Sequence, residues 1–219
     1  MSAQGVLINV AQNNHQSKYQ NKDAFGNCAK YACKVNGNAN ELVGYQFFGE
    51  PYDLPLERQI EDVYQIQKLH DIESRGGRRA AHMVYSIQES EFGEYGNNPE
   101  LVRRSFENMA RCIYDEGYQV LAATHYNPKN DGQEGAFTHV HLVINNINYR
   151  NGKKFHKTKA EVRELEKQFN EIQGDYQQMS PVTFKNADGF RNTNVQYQAL
   201  YEQTAREQAD AAARSKQKD

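Results

Sequence analysis

The chain has 219 residues, 38% of them hydrophobic, with a net charge of −2 and a mean hydropathy of −0.93. This near-neutral net charge does not by itself indicate a nucleic-acid-binding protein. No apolar run approaches the roughly 20 residues of a membrane span, and the N-terminus lacks a signal-peptide layout. We therefore expect a cytoplasmic protein with one domain over residues 1–190. We expect residues 191–219 to form a polar helix or linker that leads to a further C-terminal domain.

Cysteine usage fits a reducing compartment. The three cysteines make an odd count and lack metal-ligand spacing. Reduced, mostly buried thiols are the expected state.

The first half of the chain alternates strand and helix patterns. Short apolar or alternating runs predict strands, and apolar residues at intervals of three and four predict helices. The predicted elements are a strand over 6–10, a helix over about 22–34, a strand over 42–48, a helix over 56–69 and a strand over 80–88.

The second half adds two helices and two strands. Asn98 and Pro99 are typical of a helix start, and Gly117 of a helix end. Strands follow over 118–125 and 137–148, and Thr158 with Glu161 forms a capping box before the last helix. This order predicts an α+β fold with a central, mostly antiparallel five-stranded sheet and helices packed on one face.

Three histidines converge in this prediction. His139 and His141 are two residues apart in a strand, so their side chains project from the same face. His125 ends the preceding strand, and the turn-forming residues 127–132 leave the two strands free to pair as antiparallel neighbours. Three neutral imidazoles at one point predict a divalent metal site with open positions for a substrate oxygen.

The positive charge is concentrated in two segments. Residues 75–79 and 150–167 are basic, and such patches can bind phosphates even when the total charge is near neutral. A solvated surface is the alternative interpretation. The candidate DNA-binding residues are Arg75, Arg78, Arg79, Arg150, Lys153 and Lys154.

The histidine segment resembles the third motif of conjugative relaxases of the MOBP class, a branch of the HUH endonucleases. The resemblance is carried by His125, His139-Val140-His141, Asn145, Asn148 and residues 152–156. Residues 146–155 are also similar to a stretch typical of mobilization relaxases from Gram-positive hosts. A tyrosine segment and a strand that contains Ser86 precede the histidines, as in that family.

The resemblance implies an enzyme that nicks and rejoins one DNA strand at an origin of transfer and so initiates conjugation of a plasmid or integrative element. It implies a covalent 5′-phosphotyrosine intermediate and a divalent metal, Mn²⁺ or Mg²⁺. The implied partners are the single-stranded DNA of the origin hairpin and nick site, an accessory relaxosome protein and the coupling protein of a secretion system. It implies a palm-like five-stranded fold, a bacterial cytoplasmic location without membrane insertion, and translocation with the DNA into the recipient.

Tyr31 is the expected nucleophile, because residues 24–32 resemble the helix that carries the family's catalytic tyrosine. Lys30 and Lys34 lie close enough in sequence to lower its pKa or to hold phosphate. Tyr19 and Tyr45 remain alternatives.

Three more residues are candidates for supporting roles. Ser86 shares a strand face with His82 and is expected near the phosphate or the tyrosine, or else is an ordinary strand serine. Asn145 is expected to hold a ligand histidine by a hydrogen bond. Glu91 is a candidate carboxylate.

Two other functions stay open. A rolling-circle replication initiator uses the same chemistry but usually places its histidine pair before its tyrosine, whereas Tyr31 precedes the histidines here. A non-catalytic, sequence-specific single-stranded DNA-binding module would need neither a metal nor the tyrosine.

Overall fold

A computed structural model describes residues 5–9, 19–34, 42–50, 54–88, 98–126 and 137–183. The chain divides into two compact units, residues 1–178 and residues 179–219. In the second unit the described residues are 179–183, which are helical. The predicted polar segment 191–219 and the turn over 127–132 lie outside the described residues.

Five antiparallel strands form one sheet in the order β1-β3-β5-β4-β2. The expected mostly antiparallel five-stranded sheet is therefore confirmed. The strands are β1 (Val6–Asn9), β2 (Leu42–Phe48), β3 (Ala80–Gln88), β4 (Tyr118–His125) and β5 (Phe137–Asn148).

Helices cover both faces of this sheet, so the expectation of helices on one face is wrong. The described helices are α1 (Ala24–Ala32), α2 (Leu56–Leu69), α3 (Ile72–Arg75), α4 (Pro99–Asp115) and α5 (Lys159–Thr183). Buried residues of α4 and α5 pack on one face, and buried residues of α1 and α2 pack on the other. Strand β4 is apolar on both faces from Val120 to Ala123, which is typical of a strand buried on both sides.

The predicted ends of α4 are confirmed. The Asn98 side chain accepts hydrogen bonds from the amides of Glu100 and Leu101, both at 3.1 Å. After the helix, Gly117 adopts φ +99°, and a Cβ there would lie 2.5 Å from the Asn148 side chain. Glycine is therefore required where the chain turns into β4.

All three cysteines are free thiols, as expected; Cys33 is buried, whereas Cys28 and Cys112 are half-buried. Among the described helices, none combines the length and the apolar character needed to cross a bilayer.

Candidate active site

The register of β4 and β5 brings the three predicted histidines together. His125 lies directly opposite His139 in the antiparallel pair, and His141 follows two residues along the same face of β5. The ring centroids are 4.8–5.0 Å apart. One potential ligand nitrogen from each ring lies within 4.8 Å of the others.

The three nitrogens fit a metal ion by their chemistry as well as their spacing. Ligand atoms about 2.1 Å from one ion lie roughly 3–4 Å apart, so a shift of about 1 Å closes the present spacing. His125 is fully buried, and its Nε2 lies 2.6 Å from the carbonyl oxygen of Ala32. If Nε2–H donates to that oxygen, Nδ1 retains the lone pair that a ligand needs.

His141 makes a hydrogen bond to a fourth histidine. Its Nδ1 lies 2.8 Å from Nε2 of His82, whose Nδ1 in turn lies 3.3 Å from the Tyr19 hydroxyl. Burial, with the nearby His82, His139, His125 and Lys34, lowers the pKa of His141 to about 2. Burial also lowers the pKa of His82 to about 4. Both rings are therefore neutral at pH 7, the form in which an imidazole can bind a metal.

Tyr31 lies beside the cluster and is open to solvent. Its side chain is 63% exposed, and its ring meets His141 edge-on with centroids 5.6 Å apart. Helix α1 carries Tyr31 and also supplies the Ala32 carbonyl that contacts His125. A single helix thus fixes both the tyrosine and one histidine.

The two alternative tyrosines have different surroundings. Tyr19 is 6% exposed, and burial, with smaller effects from Cys28 and Tyr31, raises its pKa to about 12. Tyr45, in β2, lies opposite Ala123 of β4, and Ala123 in turn lies opposite His141 of β5. Tyr45 is therefore two strands away from His141. Neighbouring strands are about 4.8 Å apart, which puts the Tyr45 backbone roughly 10 Å from that of His141.

Lys34 adds positive charge next to the cluster. It follows α1 with φ +53°, and its amide donates to the Tyr31 carbonyl oxygen at 3.1 Å. This left-handed turn is a common way to end a helix. The Lys34 charge is the smallest of the causes that lower the pKa of His141, after burial and the three neighbouring histidines.

Of the three candidate supporting residues, one lies next to the histidine cluster and one lies far from it. Ser86 is half-buried and lies directly opposite His139 in the β3–β5 pair, next to the cluster. Asn145 hydrogen-bonds to Gln67, Gln119 and the amide of Ile147, so the expected bond to a ligand histidine is wrong. Asn145 lies four positions beyond His141 in the strand, about 13 Å away, which its short side chain cannot span. Glu91 lies outside the described residues.

The basic candidates gather at the opposite end of β5. Arg75 donates to the Gly152 carbonyl oxygen at 2.7 Å, and Lys154 donates to the carbonyl oxygens of Arg75 and Gly76. These bonds clasp the segments 75–79 and 150–154 together. Asn148 lies seven positions beyond His141 in β5, so this basic end lies about 23 Å from the histidines.

The other basic candidates differ in how freely they face solvent. Arg150 packs over the Tyr149 ring and donates to the Asp115 carbonyl oxygen, while Lys153 is exposed. Arg78 and Arg79 are half-buried, and their carbonyl oxygens accept hydrogen bonds from Asn146.

His82 is the residue of this site that the sequence did not identify. The alternation of β3 places it on the same face as Ser86, but its link to His141 depends on the β3–β5 register. In that register His82 lies opposite Val143, which makes it the diagonal neighbour of His141.

Comparison with known protein families gives one match. A family model described as "Relaxase: MobA/VirD2-like, nuclease domain" matches residues 31–178. The matched range begins at Tyr31 and includes all three clustered histidines. No curated protein and no solved structure matches significantly.

Proposed function

Because the chain belongs to the relaxase family through its MobA/VirD2-like nuclease domain, we propose that it nicks and rejoins one DNA strand at an origin of transfer. The reaction passes through a covalent bond between Tyr31 and a DNA 5′-phosphate. The observation that carries this proposal is the exposed Tyr31 ring against His141, beside two further neutral imidazoles.

The proposed reaction is a transesterification. The Tyr31 phenolic oxygen attacks phosphorus, a new O–P bond forms, and the bond from phosphorus to the 3′ oxygen breaks. Tyr31 gives up its proton and the 3′ oxygen takes one up, so neither water nor an oxidant is consumed. The 5′-phosphotyrosine keeps the ester linkage, and attack by the free 3′-hydroxyl reverses the step and reseals the strand.

His125, His139 and His141 would hold a divalent metal, which when bound supplies positive charge to a phosphate oxygen and polarises phosphorus. Neutral ligands leave the ion's charge uncompensated. Of the two expected ions, Mn²⁺ accepts imidazole nitrogen more readily, because Mg²⁺ strongly prefers oxygen. Lys34, next to the same cluster, would neutralise a second phosphate oxygen or a neighbouring phosphate.

DNA is proposed to run across both ends of the sheet. The exposed Tyr31 leaves room for a flexible single strand at the histidine end. The basic end, represented by Arg150 and Lys153, lies about 23 Å away, the length of roughly seven base pairs. Such a distance suits backbone contacts to the hairpin beside the nick site, not contacts to the cleaved phosphate.

The proposal includes the class of relaxase and the type of element that encodes it. The motifs around His139-Val140-His141 and residues 146–155 support the MOBP class and a Gram-positive type of element. An accessory relaxosome protein and a coupling protein of a secretion system follow from conjugative transfer, as does passage of the protein into the recipient from the donor cytoplasm.

The test is cleavage of a labelled single-stranded oligonucleotide that spans the candidate origin, with Mn²⁺ or Mg²⁺. We expect a covalent protein–DNA adduct from the wild type, none from Tyr31→Phe or His141→Ala, and an undiminished adduct from the control Tyr45→Phe. An adduct that survives Tyr31→Phe would move the nucleophile to Tyr19 or Tyr45. Binding to a verified site without any adduct would instead support a non-catalytic DNA-binding module.

A further inference from the structure

A chain of three buried side chains leads away from the candidate metal centre. His141 contacts His82 at 2.8 Å, and His82 contacts the Tyr19 hydroxyl at 3.3 Å. All three side chains are less than 8% exposed. Across the sheet His82 lies opposite Val143 and His141 lies opposite Ala123, and both of these apolar residues belong to the same buried cluster as Tyr19.

Such a chain can be arranged in two proton orders. In the first, Nδ1–H of His141 donates to Nε2 of His82, and Nδ1–H of His82 donates to the oxygen of Tyr19. In the second, the Tyr19 hydroxyl donates to His82, and Nε2–H of His82 donates to Nδ1 of His141. Because each neutral imidazole carries one proton, the second order leaves a proton on Nε2 of His141.

Only the first order is compatible with a metal at His141. Nδ1 of His141 is engaged with His82, so Nε2 is the nitrogen left to bind an ion, and a protonated Nε2 cannot do so. We propose that His82 is a positioning residue: by accepting the Nδ1 proton of His141, it holds that ring in its metal-binding tautomer, with Tyr19 as the next acceptor. This inference rests on the metal-dependent function proposed above.

The geometry argues against a merely space-filling role for His82. An imidazole is costly to bury in an apolar layer unless its nitrogens are hydrogen-bonded, and both nitrogens of His82 have partners here. Metal-binding histidines generally donate their second ring nitrogen to an acceptor, which is usually a carboxylate or a carbonyl. In this chain a histidine, His82, occupies that place.

The first experiment measures Mn²⁺ affinity by calorimetry. His82→Leu has a similar size but no acceptor, and we expect it to weaken Mn²⁺ binding about 10- to 100-fold. In His82→Gln the amide oxygen can accept the same proton, so this variant should bind within a few-fold of the wild type. His70→Leu is the matched control, since His70 is half-buried and contacts the Tyr149 carbonyl oxygen instead; its affinity should not change.

The second experiment reads the tautomer directly and needs no variant. With diamagnetic Zn²⁺ bound to the wild type, long-range ¹H–¹⁵N spectra should show His141 protonated at Nδ1 and His82 protonated at Nδ1. A proton on Nε2 of His82, or metal bound through Nδ1 of His141, would overturn the proposal. This measurement stands even if His82→Leu fails to fold.

The affinity outcomes separate this inference from the proposed function. If the wild type binds no Mn²⁺, the metal-dependent function fails, and the role of His82 fails with it. If the wild type binds Mn²⁺ but a folded His82→Leu binds it equally well, only the role of His82 is overturned. Equal losses in His82→Leu and His82→Gln would also overturn it, because they would indicate a structural effect without an acceptor role.

Discussion

Metal binding should raise the melting temperature of this protein, and removal of His139 should abolish that rise. The three histidine nitrogens are already gathered in the fold, whereas the unfolded chain separates them. An ion that binds only the folded state at 100 times its Kd stabilises it by about 2.7 kcal/mol. For a domain of this size, each kcal/mol corresponds to about 2–4 °C, so the expected rise is about 5–11 °C.

His139 is the best ligand to remove, because it is half-buried whereas His125 is fully buried against helix α1. If His139→Ala lowers affinity at least about 100-fold, the same Mn²⁺ concentration stabilises the variant by no more than about 0.4 kcal/mol, or roughly 1–2 °C. His156→Ala provides the control, since His156 is exposed and lies outside the cluster.

Differential scanning fluorimetry with and without Mn²⁺, repeated after EDTA treatment, measures these shifts. The wild type and His156→Ala should show the full rise and lose it with EDTA. An equal rise in His139→Ala would refute the reasoning, because the stabilising ion would then bind elsewhere.

Three further predictions concern stability. Burial, together with Asp62, raises the pKa of Glu50 to about 7, so the neutral carboxyl favours the folded state and this contribution is lost as pH rises from about 4.5 through 7. The wild type should therefore lose unfolding free energy relative to Glu50→Gln as pH rises over this range, by on the order of 1 kcal/mol after allowance for solvent screening. Urea titrations at pH 5 and 8 measure the difference between the two proteins, and an equal difference at both pH values would contradict this. Asn145→Ala should cost about 2–4 kcal/mol in chemical denaturation, because the buried Gln119 side-chain oxygen and the Ile147 amide lose their hydrogen bonds to Asn145 and Gln67 loses one of its two acceptors, whereas exposed Asn108→Ala should cost less than about 1 kcal/mol. Thr158→Ala should cost about 1 kcal/mol by the same measurement, since Thr158 and Glu161 cap α5 reciprocally; no change would show that this cap does not stabilise the fold.

Sequence patterns predicted the strand bounds and the β4–β5 pair well because the information was local. The bounds of β2, β3, β4 and β5 match the predicted ranges. His125 ends β4 and His139 lies near the start of β5, the next strand in the chain, so their meeting followed from antiparallel pairing of the two strands.

Other features depended on tertiary contacts. The β3–β5 register can shift by two residues without changing which side chains share a face, so the sequence could not pair His82 with His141. The second helical layer was missed because the alternating pattern of β5 suggests one covered face. Val143, on the histidine face of β5, is nevertheless buried with Leu121 beneath α1 and α2.

The central claim is that Tyr31 forms the covalent bond to DNA, and peptide mapping of the adduct tests it most directly. Tryptic cleavage separates the three candidate tyrosines into different peptides: residues 19–22 for Tyr19, 31–34 for Tyr31 and 35–58 for Tyr45. After nicking and nuclease trimming, mass spectrometry should find the residual nucleotide on residues 31–34. A nucleotide on either of the other two peptides would contradict the account.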